Sequence, residues 1–297
     1  MKKMLLIVGC GDIALRTVPL LKNKYRVLGL CRSSNSIDRL RSHGIIPIYG
    51  DLDFIQTLKK LAGIAQIILH LAPPAGKGLH DQRTAHLLSV LSRPMNDHGG
   101  ILPQRLIYIS TSGVYGDCQG ALIDETYPVC PVNERAIRRV DAEKQIRRWG
   151  RRNHIHVSIL RVPGIYAENR LPLNRLREGH PALIDSEDSY TNHIHADDLA
   201  QIICAAIHHA KPHRIYHASD DSQLKMGQYF DLVADRFGLP HPPRISRNQA
   251  QQQISPAMLS FMNESRLLNN LRIKKELRVK FLYPIVNDGI KAVLQKN

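Results

Sequence analysis

The chain begins with a short apolar run, two closely spaced glycines and then a segment with the periodicity of an amphipathic helix. Glycine allows the tight turn that leaves a strand, and it allows backbone amides to approach an anion without a Cβ atom in the way. The N-terminus of a helix adds unpaired N–H groups that bind a phosphate. The pattern predicts a βαβ unit that binds the pyrophosphate of a dinucleotide at Gly9, Gly11, Asp12 and Ile13.

Apolar runs alternate with amphipathic segments through the first 165 residues, which is typical of an α/β fold with a doubly wound parallel sheet. The predicted strands are Met4–Val8, Tyr25–Cys31, Ile45–Tyr49, Gln66–Leu71, Arg105–Ser110, His156–Arg161 and Arg214–His217. The predicted helices include Asp12–Leu21, Ser36–His43, Phe54–Leu61 and Asp197–His208. We expect residues 1–165 to form a Rossmann-like domain, with 191–219 returning to it. Residues 166–190 and 220–297 then form a smaller mixed α/β lobe that binds substrate.

The second predicted strand bears on the identity of the dinucleotide. NAD-binding proteins carry a carboxylate there for the ribose hydroxyls, about twenty residues after the glycines. This chain reads Gly29-Leu30-Cys31-Arg32-Ser33 instead. Arg32 can pair with a ribose 2′-phosphate and Ser33 can add a hydrogen bond, so we expect NADP(H) to be preferred over NAD(H).

The composition of the chain argues against several classes of protein. The five cysteines are odd in number and lack Cys-x-x-Cys spacing, which argues against a disulfide framework and a zinc site, and no apolar run approaches the ~20 residues of a membrane helix. The N-terminal apolar run is too short for a signal-peptide core. We therefore expect a cytoplasmic protein without a membrane partner. The formal net charge of +15 favours anionic ligands.

The densest basic segment is 135–152, where arginines and one lysine recur at helical spacing. We interpret it as a solvated helix face with intrahelical ion pairs. Binding of nucleic acid is the alternative, but the segment has one aromatic residue, Trp149, and no known binding motif, so we do not expect it.

Four further motifs lie where predicted strands end, and a fifth lies at the start of the predicted helix Asp197–His208. They are Gly50-Asp51-Leu52, His70-Leu71-Ala72-Pro73, Ile109-Ser110-Thr111-Ser112-Gly113-Val114-Tyr115-Gly116, Leu160-Arg161-Val162-Pro163-Gly164-Ile165-Tyr166 and His193-Ile194-His195-Ala196-Asp197-Asp198. With the glycine loop, they resemble the extended short-chain dehydrogenase/reductases, in particular the NAD-dependent epimerase/dehydratase family that acts on nucleotide sugars. The resemblance implies that Asp51 and Leu52 contact adenine. It also implies that Leu71, Ala72 and Pro73 line the cofactor trench and that Val162 and Pro163 lie beside the nicotinamide.

The resemblance assigns a catalytic role to Thr111, whose counterpart in the family hydrogen-bonds the reacting oxygen of the substrate. The family then uses a Tyr-x-x-x-Lys helix, in which tyrosine carries the proton. Here Arg135 stands at the tyrosine position and Arg139 at the lysine position. A guanidinium stays protonated, so Arg135 can polarise a carbonyl or bind a phosphate but cannot shuttle a proton. The chain therefore resembles an atypical branch of the family.

Other residues near the expected cleft could carry a proton, and Tyr166, Tyr190, His193 and His195 are the candidates. The spacing His193-x-His195-x-Asp197 also suggests a metal, but it coincides with a loop of the family in which we expect Asp197 or Asp198 to cap a helix. We predict no metal site.

Two functions remain open. The first is an NAD(P)-dependent oxidoreductase or epimerase that acts on a nucleotide-linked or phosphorylated carbohydrate through Thr111, Arg135 and Arg139. The second is a catalytically inactive NADP(H)-binding protein with a regulatory or redox-sensing role. In the resembled family, helices corresponding to 84–91 and 135–148 form a dimer interface, so a homodimer is possible, although the arginines could oppose it.

Overall fold

The computed structural model describes residues 2–92 and 102–296. The strands are β1 (Lys3–Val8), β2 (Tyr25–Cys31), β3 (Ile46–Tyr49), β4 (Ile67–His70), β5 (Arg105–Thr111), β6 (Leu122–Ile123), β7 (His156–Val162), β8 (Gly164–Tyr166), β9 (Ala182–Leu183), β10 (Tyr190–Thr191), β11 (His193–His195), β12 (Arg214–His217), β13 (Leu224–Lys225), β14 (Arg244–Ile245) and β15 (Leu267–Leu268).

The α-helices are α1 (Asp12–Leu21), α2 (Ile37–Ser42), α3 (Gln82–Leu91), α4 (Glu134–Arg152), α5 (Leu173–Arg177), α6 (Ala196–His209), α7 (Met226–Phe237), α8 (Arg247–Gln253), α9 (Pro256–Met262), α10 (Leu271–Leu277) and α11 (Val286–Lys296). Short 3₁₀ helices cover Ser34–Ser36, Ile55–Leu61, Ser112–Tyr115 and Asp185–Glu187. None of the helices in the described ranges is long and apolar enough to cross a membrane.

A central sheet joins seven of these strands in the order β12-β7-β5-β4-β1-β2-β3, and all neighbours are parallel. The predicted strands are confirmed to within one residue at each end. The chain moves outward from β1 through β2 to β3 and then returns to place β4 on the other side of β1. The loops that follow β1 and β4 therefore diverge, which opens a crevice at the carboxyl edge of the sheet. The predicted doubly wound α/β fold is confirmed.

Helices cover both faces of the sheet because its strands are apolar on both faces. In β1, Leu5 and Ile7 pack on one side with α1, α6 and α10, whereas Leu6 and Val8 pack on the other side with α3 and α4. All four side chains are fully buried. Burial of each such side chain contributes about 1.5–3 kcal/mol, so the two apolar layers fix the edge at which the functional loops meet.

The segment 54–61 differs from its prediction as an ordinary helix. Ile55–Leu61 forms a 3₁₀ helix, and Gly63, at φ +68°, follows it. Leu58 and Leu61 are fully buried, and residues three positions apart lie on one line in a 3₁₀ helix. The tighter winding therefore directs both leucines into the core while Phe54 stays exposed.

The interpretation of α4 as a solvated face is only partly right. Lys144, Arg148, Arg151 and Arg152 are exposed, but the Arg138 side chain is buried. Arg138 Nη1 donates to the Gly78 carbonyl oxygen at 2.5 Å and pairs with Glu134 at 3.2 Å. Part of the positive charge of α4 is therefore buried inside the protein.

The remaining elements pack beside the carboxyl ends of β5 and β7. One apolar cluster joins α5, α7 and α11 around Tyr166 and Phe230, and a second joins β9, α8 and α9 around Leu183 and Met262. The segments 166–190 and 220–297 supply most of these residues. The division of the chain into two lobes at these bounds stays a prediction.

A buried ion pair connects α4 to the sheet. The Glu143 carboxylate accepts hydrogen bonds from Arg161 Nε at 3.1 Å, from Arg161 Nη2 at 2.7 Å and from Ser110 Oγ at 2.6 Å. The Arg161 and Glu143 side chains are only 4% and 5% exposed. Loss of one partner would leave the other as an unpaired buried charge.

We predict that Glu143→Ala lowers the free energy of unfolding by about 3–5 kcal/mol, because it leaves the Arg161 guanidinium buried without a counter-ion. Urea denaturation followed by circular dichroism measures the change. The neighbouring Lys144→Ala, at an exposed position of the same helix, serves as the control and should change the value by less than about 0.5 kcal/mol. Equal stabilities of the two variants would contradict the prediction.

Candidate functional site

The predicted site residues converge on one edge of the sheet. The parallel strands β1, β2, β4, β5 and β7 all end there, so the loops that follow them are neighbours. Two cavities open along this edge. We call them the glycine-loop cavity, beside β1, β2 and β4, and the Thr111 cavity, beside β5 and β7.

The glycine loop is held against the end of β4. Gly9 has φ +102°, and a Cβ atom there would lie 2.4 Å from the backbone nitrogen of Ala72. Two backbone N–H groups, those of Leu71 and Ala72, donate to the Val8 carbonyl oxygen at 2.7 and 2.9 Å. The turn therefore requires glycine at position 9 for both conformational and steric reasons.

Gly11 has different surroundings. It is the N-cap of α1, and apart from Gly11 and its two chain neighbours no atom of the described residues lies within 4 Å of the position that its Cβ atom would occupy. The open space lies at the N-terminus of a ten-residue helix, where amide groups face outward. This geometry fits the pyrophosphate of a dinucleotide.

The glycine-loop cavity has a volume of about 270 Å³. Its lining includes six of the predicted cofactor residues, namely Gly9, Arg32, Asp51, Leu52, Ala72 and Pro73. Leu71 contacts the backbone of Gly9 without lining this cavity. The Arg32 side chain is exposed, which leaves its guanidinium accessible to a ligand.

Four predicted cofactor residues have other roles for their side chains. Asp12 pairs with Arg16 at 3.0 Å and Arg170 at 3.2 Å, and Ile13 packs against the core. Ser33 Oγ accepts a hydrogen bond from the Asn35 backbone and caps the 3₁₀ helix that follows. Val162 is buried in the apolar layer beside α6. Asp12 and Ile13 can still contribute backbone N–H groups at the helix N-terminus.

Sequence reasoning missed a charged pair in the glycine-loop cavity. Arg83, in the first turn of α3, also lines this cavity and binds the Asp53 carboxylate through two hydrogen bonds of 2.7 and 2.6 Å. The Arg83 hydrogen bonds lower the pKa of Asp53, and the charge of Arg32 lowers it further. The cavity thus has two cations at its rim. No motif signals this arrangement, because Asp53 and Arg83 meet only in the fold.

The Thr111 cavity is larger, with a volume of about 410 Å³, and it brings together Thr111, Arg135, Arg139 and Pro163. Thr111 ends β5, and its Oγ1 accepts a hydrogen bond from the Gly113 backbone at 3.2 Å. This bond uses an oxygen lone pair and leaves the hydroxyl hydrogen available to a ligand. The carboxyl ends of β5 and β7 form one wall of the cavity, and residues of 190–193 and 258–266 form the other.

The two arginines of α4 are held differently. Arg139 Nη1 donates to the Ile109 carbonyl oxygen at 2.7 Å and to the Tyr108 hydroxyl at 3.0 Å. Arg135 lies at the exposed rim, with its guanidinium carbon 4.7 Å from the centre of the Phe261 ring. Partial burial and the charge of Arg139 lower the pKa of Arg135. Within residues 2–92 and 102–296, no carboxylate forms an ion pair with either arginine.

A third group in the Thr111 cavity comes from the far end of the chain. Glu264 Oε2 accepts a hydrogen bond from Arg266 Nη1 at 2.9 Å, and its Oε1 accepts one from Asn133 Nδ2 at 3.3 Å. Asn133 is itself the N-cap of α4, through a 2.9 Å bond from the Ala136 backbone. Sequence reasoning missed Glu264 and Arg266, because they lie in no recognisable motif.

The four proton-carrier candidates occupy different positions. Tyr190 and His193 line the Thr111 cavity, and burial lowers the pKa of His193 to about 3. Tyr166 is buried against Gly289, and burial raises the pKa of its hydroxyl. His195 is the N-cap of α6, since its Nδ1 accepts a hydrogen bond from the Asp197 backbone at 3.1 Å.

The expectation that Asp197 or Asp198 caps α6 is therefore wrong. Asp198 is fully buried and accepts backbone hydrogen bonds from Leu282 at 2.7 Å and Tyr283 at 2.9 Å. The imidazole of the residue before the helix takes the capping role. In the part of the chain that the structure describes, no group of three or more His, Cys, Asp or Glu side chains is arranged to hold a metal ion.

We predict that Gly11→Ala folds normally but binds NADPH about tenfold more weakly or worse, because the added methyl group would occupy the space expected for the pyrophosphate. Fluorescence titration measures the affinity and thermal denaturation checks the fold. Gly9→Ala is the contrasting variant, and it should lose stability because its methyl group would meet the Ala72 backbone. Wild-type affinity in Gly11→Ala would contradict a dinucleotide at this helix.

Comparisons with known proteins agree with this fold. A conserved protein of unknown function from Silicibacter pomeroyi is 25% identical, with a TM-score of 0.80, and the match covers 99% of each chain. UDP-glucose 4-epimerase from Thermotoga maritima, solved with UDP-glucose, is 16% identical, with a TM-score of 0.78 over 98% of this chain and 97% of that one.

UDP-glucuronic acid 4-epimerase from Bacillus cereus, solved with NAD, is 18% identical, with a TM-score of 0.75 over 98% of this chain and 99% of that one. The two epimerases show a likeness of fold. No curated protein matches the sequence significantly. The model of the NAD dependent epimerase/dehydratase family matches residues 16–218, which confirms the resemblance inferred from the motifs. The chain belongs to the NAD dependent epimerase/dehydratase family.

Proposed function

We propose that this protein is an NADP(H)-dependent oxidoreductase of the epimerase or dehydratase type that acts on a nucleotide-linked or phosphorylated carbohydrate. One observation carries the proposal. The Thr111 cavity opens along the same edge of the sheet as the glycine-loop cavity, and it contains two arginines that no carboxylate pairs with among the described residues. A site of this charge favours a substrate that carries phosphate or carboxylate groups.

Family membership makes a nicotinamide dinucleotide the cofactor, and the arginines of the glycine-loop cavity favour its phosphorylated form. Arg32 is exposed at the end of β2, where the ribose 2′-phosphate of NADP(H) is expected. Arg83 neutralises Asp53 at the same rim, so that carboxylate does not repel a phosphate. Asp51, Leu52, Ala72 and Pro73 would enclose the adenosine half.

Within the Thr111 cavity, we assign to Thr111 the hydrogen bond to the reacting substrate oxygen. Arg139 is fixed by its bonds to β5 and supplies a positive charge beside that oxygen. Arg135 is free of ion pairs with described carboxylates and lies at the rim, so it can bind an anionic group of the substrate. Pro163 forms the wall expected beside the nicotinamide. The bound cofactor supplies hydride transfer, and the protein supplies position and charge.

The structural likeness supports a nucleotide sugar as the first substrate to test, because one similar epimerase was solved with UDP-glucose. A homodimer through α3 and α4 stays a prediction. Lys144, Arg148 and Arg151 are exposed on α4, so a two-fold pairing of this helix would bring like charges together.

We predict that NADPH binds about 10–100-fold more tightly than NADH and that Arg32→Ala removes the difference, because charge-assisted hydrogen bonds contribute about 1.5–3 kcal/mol. Fluorescence titration of both cofactors measures the ratio. Arg26→Ala, at the exposed start of the same strand, should keep the wild-type ratio. Equal affinities of the wild-type protein for the two cofactors would refute the preference.

We predict turnover of at least one of UDP-glucose, UDP-glucuronic acid, glucose 6-phosphate and 6-phosphogluconate with NADP⁺. Nicotinamide absorbance detects net oxidation, and NMR of the sugar detects epimerisation. Thr111→Ala should lower kcat about 10²–10³-fold, because it removes a donor to the reacting oxygen. The exposed Thr126→Ala is the matched control. Tight NADPH binding without any turnover would instead favour the inactive regulatory protein.

A further inference from the structure

The chemistry proposed for the Thr111 cavity needs a group that accepts and returns a proton. The guanidinium groups of Arg135 and Arg139 stay protonated, and a threonine hydroxyl does not ionise near neutral pH. The family's tyrosine position is occupied by Arg135, so another side chain has to carry the proton. Such a group must lie within hydrogen-bond reach of the oxygen that Thr111 contacts.

Glu264 meets this geometric requirement. A methyl group placed on Gly113 would lie 3.6 Å from Thr111 Oγ1 and 3.8 Å from Glu264 Oε2. The hydroxyl and the carboxylate therefore face the same small space above Gly113. A substrate oxygen placed between the two groups would lie close to both of them.

The carboxylate of Glu264 is also held in a fixed position, as a catalytic group must be. The residue is 8% exposed, and its two oxygens are fixed separately by Asn133 and Arg266. Arg266 is anchored in turn by a 2.6 Å bond to the Gly116 carbonyl oxygen, in the loop that follows Thr111. This support fixes the carboxylate relative to the end of β5.

The other titratable groups of the cavity fit less well. Glu264 is the one Asp or Glu among the described residues that line the cavity. The Tyr190 ring packs against Gly120, on the side of Ser265, and His193 packs on the Tyr229 ring with 4.2 Å between ring centres. His193 also lies beside Gly164, at the β7 side of the cavity, whereas Glu264 lies beside Gly113 and Thr111, at its β5 side.

We propose that Glu264 is the catalytic acid/base of this protein, in place of the family's tyrosine; the inference rests on the proposed oxidoreductase function. In the oxidative direction, the carboxylate of Glu264 accepts the proton of a substrate hydroxyl while hydride leaves the same carbon for NADP⁺. The O–H and C–H bonds break, a C=O bond forms, and NADP⁺ is reduced. In the reverse direction, the carboxylic acid of Glu264 returns the proton to the carbonyl oxygen.

The test uses Glu264→Gln with whichever member of the four-compound panel the wild-type protein turns over fastest. Glutamine keeps the shape of the side chain but cannot carry the proton, so we expect kcat to fall about 10²–10⁴-fold with KM close to the wild-type value. The limb of the pH–rate profile that reports the essential base should disappear in the variant. A purely structural residue would not remove that limb.

Two controls accompany the variant. Glu264→Gln should bind NADPH with wild-type affinity, because Glu264 lies outside the glycine-loop cavity. Glu125→Gln is the matched carboxylate variant, since Glu125 is buried and pairs with Arg272 at 3.3 Å but lines neither cavity, and it should keep the wild-type kcat.

Each outcome supports or overturns the proposed role of Glu264. A kcat of Glu264→Gln within about twofold of wild type would overturn the role of Glu264 and leave the proposed function intact. If the wild-type protein turns over none of the four compounds, both are overturned together. If Glu264→Gln misfolds and loses NADPH binding, the kcat of Glu264→Asp is measured instead. This variant keeps the charge but shortens the side chain. An undiminished kcat in Glu264→Asp would then overturn the role.

Discussion

The close backbone approach between Gly9 and Ala72 is the constraint on which the rest of the site depends. A Cβ atom at position 9 would lie 2.4 Å from the Ala72 nitrogen, so the loops after β1 and β4 can meet only where one of them lacks a side chain. Beyond this contact the two loops diverge, and the glycine-loop cavity lies beside them. The glycine-loop cavity and the Thr111 cavity share an edge because the sheet is parallel and reverses its order at β1.

Local pattern was enough to predict the central sheet and the glycine loop. Strands such as Tyr25–Cys31 are apolar on both faces, and the turn at Gly9 has a distinct sequence, so neighbouring residues carry the information. The 3₁₀ helix Ile55–Leu61 could not be distinguished from an α-helix, because a short apolar run fits both. Glu264 could not be found at all. It reaches Asn133 across 131 positions of sequence, and only packing brings the two residues together.

The positive charge of the chain is distributed less simply than its sequence suggests. Arg138 and Arg161 are buried, and the carboxylates of Glu134 and Glu143 compensate them. Arg135 and Arg139 have no such partner among the described residues, although they belong to the same basic helix. The net charge of the protein therefore says little about ligands, whereas the position of two arginines without a described ion-pair partner in one cavity supports the proposal of an anionic substrate.

The bond from Arg266 to the Gly116 carbonyl joins residues 150 positions apart, and it lies in the wall of the Thr111 cavity. The glycine-loop cavity is lined by residues no later than Arg83. The two cavities are therefore completed at different stages as the chain is synthesised from its N-terminus. The strands that hold the glycine loop precede the segment carrying Glu264 and Arg266, which emerges late and closes a loop of 150 positions. A nascent chain therefore contains every residue that lines the glycine-loop cavity well before the Thr111 cavity can be complete.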